Sequence, residues 1–121
     1  MDKIRKYEDL EVYRKAYFIS LEIHKKTLEF PKEEQYGLAS QLRNSSKSIC
    51  GNIAEGFGKQ SQSKREFRRF LSMAIGSADE TKVWLDYAKD LGYITESLYA
   101  TWKRTYVDIA KMLSGLYKSW E

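Results

Sequence analysis

The residues of this 121-residue chain that could do chemistry are few, and most of the reactions they suggest fail for want of partners. His24 is the one histidine. A di-iron bundle needs inward carboxylates with a Glu-x-x-His pair on each of two helices. The residue three before His24 is Leu21, so not even one such pair exists, and His24 reads as an ordinary helix residue. Cys50, the one cysteine, has no second thiol with which to hold a metal and no evident histidine or asparagine to activate it, so it reads as a small buried hydrophobe. Gly58-Lys59-Gln60-Ser61 ends like a phosphate loop, but the first glycine of that motif is replaced by Ile53 and a helix rather than a strand precedes it. No catalytic residue, metal site or cofactor is therefore assigned.

What remains is charge and buried polarity. Net charge is +4, and the cations are concentrated. From Gln35 to Arg69 the chain carries Arg43, Lys47, Lys59, Lys64, Arg65, Arg68 and Arg69 against Glu55 and Glu66, a local +5, whereas Glu8 to Glu34 comes to −2. Arg65, Arg68 and Arg69 stand three and four residues apart, on one outer helix surface where phosphates could bridge them. Arg104, Lys111 and Lys118 make a second basic row, one residue per heptad. Such rows are either solvated helix faces or a surface for RNA or DNA. Asn52 lies on an apolar seam with Glu55 beside it, and a buried asparagine without partners costs about 1 to 3 kcal/mol. Ser20, Thr81 and Thr105 are seam residues that could supply them, either in a polar network fixing helix register or in a ligand pocket.

The elements that position these groups are helical throughout. Leu38, Leu42, Ser45, Ile49, Asn52 and Gly56 alternate steps of four and three, the seam of a helix packed on other helices. Ser45, Ser46, Ser48, Gly51 and Gly56 would let neighbouring backbones approach it closely. Glu33 and Glu34 are expected in its first turn, and Gly56-Phe57-Gly58 marks its end. An earlier helix starts at Asp9 as N-cap, carries Tyr13, Ala16, Ser20, Ile23 and Thr27 inward, and stops before Pro31. Ser63-Lys64-Arg65-Glu66 reads as a capping box opening a third helix with the seam Phe67, Leu71, Ala74, Ala78, Thr81, Leu85 and Ala88. Gly92 suits its left-handed C-terminal residue, and Thr95 caps a fourth helix. That helix has a seam at Leu98, Trp102, Thr105, Ile109, Met112 and Leu116 and a second stripe at Tyr99, Tyr106, Leu113 and Trp120.

Four such helices joined by short links predict an all-α fold, an up-down-up-down antiparallel four-helix bundle in one domain over residues 1–121. Trp84, Tyr99, Tyr106 and Trp120 either widen the core or form a subunit interface. No apolar run approaches the roughly 20 residues of a membrane span, and the N-terminus lacks the pattern of a secretory signal. A cytoplasmic protein is expected.

One set of residues carries a resemblance across nearly the whole chain: Tyr7-Glu8-Asp9-Leu10, Phe30-Pro31, Tyr36-Gly37-Leu38, Gln41-Leu42-Arg43, Asn52-Ile53-Ala54-Glu55-Gly56 and Ala74-Ile75-Gly76-Ser77. The sequence resembles the bacterial four-helix-bundle family first noticed in intervening sequences of large-subunit ribosomal RNA genes, often labelled ribosomal-protein-like. Asn52, Glu55 and Gly56 are the most specific part of the match. The resemblance implies a non-enzymatic bundle assembling as a ring, commonly a homopentamer, and associated with RNA or DNA. A related bundle is the accessory protein of diversity-generating retroelements, a basic pentamer that works with a reverse transcriptase. Arg68 and Ala78 stand where the family usually has larger apolar residues, and Lys82 where a carboxylate or neutral residue is common, which adds to the basic face of the third helix. Two functions are thus in view. One is an oligomeric bundle that binds RNA or DNA weakly, with little sequence preference, through a basic helix face. The other is a structural or protein-interaction module whose charge serves solubility.

Overall fold

Each run of three-and-four apolar spacing becomes one helix in the computed structural model, which describes residues 3–120. The helices are α1 (Glu11–Thr27), α2 (Leu38–Phe57), α3 (Lys64–Asp90) and α4 (Glu96–Ser119), with no strand among the described residues. Helices adjacent in the chain are adjacent in space, and α1 closes the bundle against α4. Every neighbouring pair runs antiparallel. Arg43 near the start of α2 reaches Thr27 at the end of α1, while Cys50 further along α2 meets the Tyr13 carbonyl. Ser77 and Thr81 of α3 pair with Ser48 and Ser45 of α2. Arg68 and Asp86 of α3 meet Tyr117 and Tyr99 of α4, and Trp102 of α4 donates to Glu22 of α1.

Gly56 sets the close approach of α2 and α3 at that end of the bundle. A Cβ there would lie 2.5 Å from the Cβ of Phe70 and 3.1 Å from the ring of Phe67, so only glycine lets the helices come this close. Gly51 is different. It is exposed with nothing within 4 Å of its missing Cβ, so it contributes nothing to close approach within the chain. The α3 seam from Phe67 to Ala88 is buried at all seven positions, and Gly92 takes φ +80°, the left-handed conformation that lets the chain turn back into α4.

Four local expectations are corrected. Asp9 does not cap α1. It ends a short 3-10 turn, Tyr7–Asp9, and its carboxylate accepts from the backbone N–H groups of Arg5 (2.9 Å) and Lys6 (3.1 Å), which hold its pKa low. Glu33 and Glu34 do not open α2 but belong to a second 3-10 turn, Lys32–Glu34, and α2 begins after Gly37, where the Glu34 carboxylate accepts from the Leu38 N–H. The Ser63 hydroxyl accepts from the Glu66 N–H as expected, but the Glu66 carboxylate grips Arg69 instead of returning to the cap, so only half of the capping box forms. In α4 the buried line is Trp102, Tyr106, Ile109 and Leu113, midway between the two stripes read from sequence, and Thr105 turns back to the Thr101 carbonyl.

Candidate nucleic-acid interface

The seven candidate cations separate into two groups along α2 and α3. Arg43 is bound inside its own fold: it donates to Thr27 Oγ1 (3.0 Å), Gln35 Oε1 (3.3 Å) and the Gln35 carbonyl (2.9 Å), locking the α1–α2 connection. Its planar fork serves three acceptors of the fold. Lys47 Nζ lies 2.9 Å from His24 Nδ1. Burial first, then the charges of Lys47 and Arg43, lower the His24 pKa, so the imidazole is held neutral and accepts from the ammonium. Lys59 and Arg65 lie beyond the opposite end of α2 and at the start of α3, since from Arg43 to Phe57 the helix advances about 21 Å at 1.5 Å per residue. The expected segment is therefore not one patch.

At that far end the geometry is concentrated. Arg65, Glu66, Arg68, Arg69, Ser72 and Tyr117 surround a hollow of about 600 Å³. Lys64 borders a smaller one of about 230 Å³ with Gln60, Ser119 and Trp120. Arg68 is not a free surface cation. Its guanidinium stacks 4.3 Å from the centroid of the Tyr117 ring, and its Nε donates to the Tyr117 carbonyl at 3.3 Å. This explains how an arginine occupies a position flanking the α3–α4 seam, with its plane covering an aromatic face. Arg69 is exposed, paired with Glu66 at 3.1 Å, and lies over the Phe70 ring at 4.7 Å, with Lys59 over the same ring at 5.9 Å. Hydrogen bonding from Arg69 lowers the Glu66 pKa. Arg65 and Lys64 are exposed.

The polar seam works differently from either expectation in its membership. Asn52 Nδ2 donates to the Ser48 carbonyl (2.9 Å) and Ser48 Oγ (3.1 Å) on its own helix, and Ser77 Oγ reaches Ser48 Oγ at 2.9 Å. Thr81 pairs with Ser45, and Ser20 turns back to the Tyr17 carbonyl, so neither serves Asn52. Serines invisible as a network in the sequence thus fix the α2–α3 register, while Glu55 is exposed.

The four aromatics read as either a widened core or an interface have places within the chain. Tyr106 is 0% exposed, and burial drives its hydroxyl pKa far above the ordinary tyrosine value, so it is core and not interface. Trp120 packs edge-on against Phe67 at 4.9 Å. Tyr99 donates to Asp86 at 2.6 Å beneath Lys89 and Lys103, and Trp84 is half-buried beside Tyr87. Burial pushes the Cys50 thiol up to about 11, which leaves it protonated and unreactive at neutral pH. Among the described residues no group of three or more His, Cys, Asp or Glu could hold a metal ion, and no helix is long and apolar enough to cross a membrane.

Fold and surface define an all-α four-helix bundle with a cationic hollow where α3 begins and α4 ends. The family model for the 23S rRNA-intervening sequence protein matches residues 8–115, and the chain belongs to that family. A crystal structure of a protein of unknown function from the S23 ribosomal protein family of Bacteroides thetaiotaomicron is similar at 28% sequence identity and a TM-score of 0.78, covering 88% of this chain and 95% of that one. No curated protein matches the sequence.

Proposed function

We propose that this protein is a ring-forming helix bundle, a pentamer by family resemblance, that binds the phosphate backbone of RNA or DNA through the surface around Arg65, Arg68 and Arg69. The observation that carries the reading is the hollow of about 600 Å³ in which three arginines converge with Ser72 and Tyr117, with Glu66 the one carboxylate among its described lining residues. Cations so placed neutralise phosphates and release counterions, giving affinity without sequence preference. Self-assembly is supported by surfaces other than the four aromatics first considered. Tyr17, Phe18 and Leu21 expose an apolar stripe on α1, and Val83, Tyr87 and Leu91, spaced by four, expose another on α3. A ring joins two different surfaces of successive copies, and these two stripes are such a pair.

The test is binding of a labelled structured RNA and a labelled DNA at low and at physiological salt. Affinity should fall steeply as salt rises. Combined Arg65→Glu and Arg69→Glu should abolish binding with the helical signal unchanged, because both side chains are exposed. Arg68 is left in place, since its stack on Tyr117 is part of the α3–α4 contact. An affinity equal to the parent's would exclude this face.

A further inference from the structure

Lys111 and Lys118 of the basic row of α4 do not lie on a separate face from the arginines of α3. One turn beyond the arginine hollow, Ile75 and Asp79 of α3 and Ala110, Lys111, Ser114 and Lys118 of α4 line a second hollow of about 450 Å³. The two hollows share the outer α3–α4 groove, which from Arg65 to Asp79 is about 21 Å long at 1.5 Å per residue. Ala110, Ser114 and Gly115 give the second hollow small side chains on the α4 side. Its cations are Arg65, Arg68, Arg69, Lys111 and Lys118. Among the described residues its carboxylates are Glu66, tied to Arg69 at 3.1 Å, and Asp79, tied to Lys82 at 3.0 Å. One turn in from its Arg65 end, Arg68 lies over the ring of Tyr117, with 4.3 Å from its Cζ to the ring centroid.

Resting on the nucleic-acid reading above, we infer that the α3–α4 groove is a track for one unpaired strand, in which the cations hold successive phosphates and the Arg68–Tyr117 stack receives a base. Packed helices stand roughly 8 to 10 Å apart, so the groove between them is narrow. A duplex is a wide, rigid cylinder that would meet such a groove only along its rim. A single strand lies within it, and its bases are free to stack on an aromatic or guanidinium plane, the combination by which strands are held without sequence preference. At this length the track holds on the order of four nucleotides, the lower end of site sizes for small single-strand-binding folds.

The discriminating measurement is fluorescence anisotropy at low salt with a labelled oligouridylate, an oligothymidylate and a duplex of equal length. Both single strands should bind more tightly than the duplex. Lys111→Glu with Lys118→Glu changes two exposed α4 residues outside the arginine hollow. It should weaken strand binding about tenfold or more and reduce the salt slope by about 1.4, roughly 0.7 for each lost single-strand phosphate contact. Tyr117→Leu should weaken it about tenfold with the slope unchanged, as loss of stacking does. Circular dichroism on each variant checks the fold. A parent that binds neither form removes the nucleic-acid reading itself. A parent that prefers the duplex, or a Lys111/Lys118 variant that binds as tightly as the parent, overturns the single-strand track while leaving that reading in place.

Discussion

Gly56 and Gly51 belong to the same helix and have opposite reasons to be glycine. Alanine at 51 should stabilise the chain by up to about 1 kcal/mol, because nothing opposes the added methyl and alanine is the better helix former. Alanine at 56 should destabilise it by about 1 to 3 kcal/mol despite that gain, because the methyl would collide with Phe70 Cβ, an atom fixed to the α3 backbone. Urea melts of the two variants check both signs. His24 gives a pH-dependent counterpart. Its pKa is lowered in the folded chain, so as the pH falls through the unfolded value the unfolded chain binds the proton more readily and stability decreases as the pH decreases. The favourable contribution is full above the unfolded value near 6.5 and is lost as the pH falls below it. Since His24 is the one histidine, His24→Gln should flatten the melting temperature across this window, while a parallel decline in the variant would assign the effect elsewhere.

Between elements, the side chains that set register are hydroxyls. Thr81 Oγ1 lies 2.9 Å from Ser45 Oγ and donates to the Ser77 carbonyl, all within the α2–α3 seam. Thr81→Val alone leaves Ser45 without this partner and should cost about 1 to 3 kcal/mol, whereas adding Ser45→Ala should recover part of the loss. Additive losses in this double-mutant cycle would mean that the pair does not act as a unit. Helix identity was legible in the sequence because apolar spacing reports a buried face directly, as the wholly buried α3 seam shows. Helix starts were less legible. Asp9 is a residue type that caps and Glu34 one that suits a first turn, and both do accept backbone N–H groups, but Asp9 does so across its own 3-10 turn and Glu34 from the end of one, in geometry no spacing rule records. The α4 face was misplaced by part of a turn because its apolar arc is wide, and a wide arc does not fix which line faces the core. An arginine's type suggests a solvent-facing place, while the half-buried place of Arg68 depends on Tyr117, 49 residues away. The groove shared by α3 and α4 depends on the same tertiary pairing, which is why two basic rows read as separate features.

For the whole molecule, assembly and binding should be coupled. In the proposed complex a single copy would offer five groove cations, of which Arg69 and Arg68 are already engaged by Glu66 and Tyr117, so its affinity for a backbone should be weak. A ring repeats the groove on each copy, and once one strand segment is held, the next copy meets the ligand at high effective concentration. In the proposed ring the stripes on α1 and α3 should matter to binding as much as the arginines, although they touch no phosphate. Phe18 is 64% exposed and Leu91 53%, so Phe18→Lys or Leu91→Lys leaves the core alone and should preserve the helical melt. Light scattering after size exclusion should give a parent mass of several chains and a smaller mass for each variant. On a long oligonucleotide the variants should lose on the order of 100-fold in affinity. On an oligonucleotide only long enough for one groove they should bind as the parent does. A parent of one-chain mass would remove the ring. A dissociated variant that still binds long strands as tightly as the parent would show that one groove suffices.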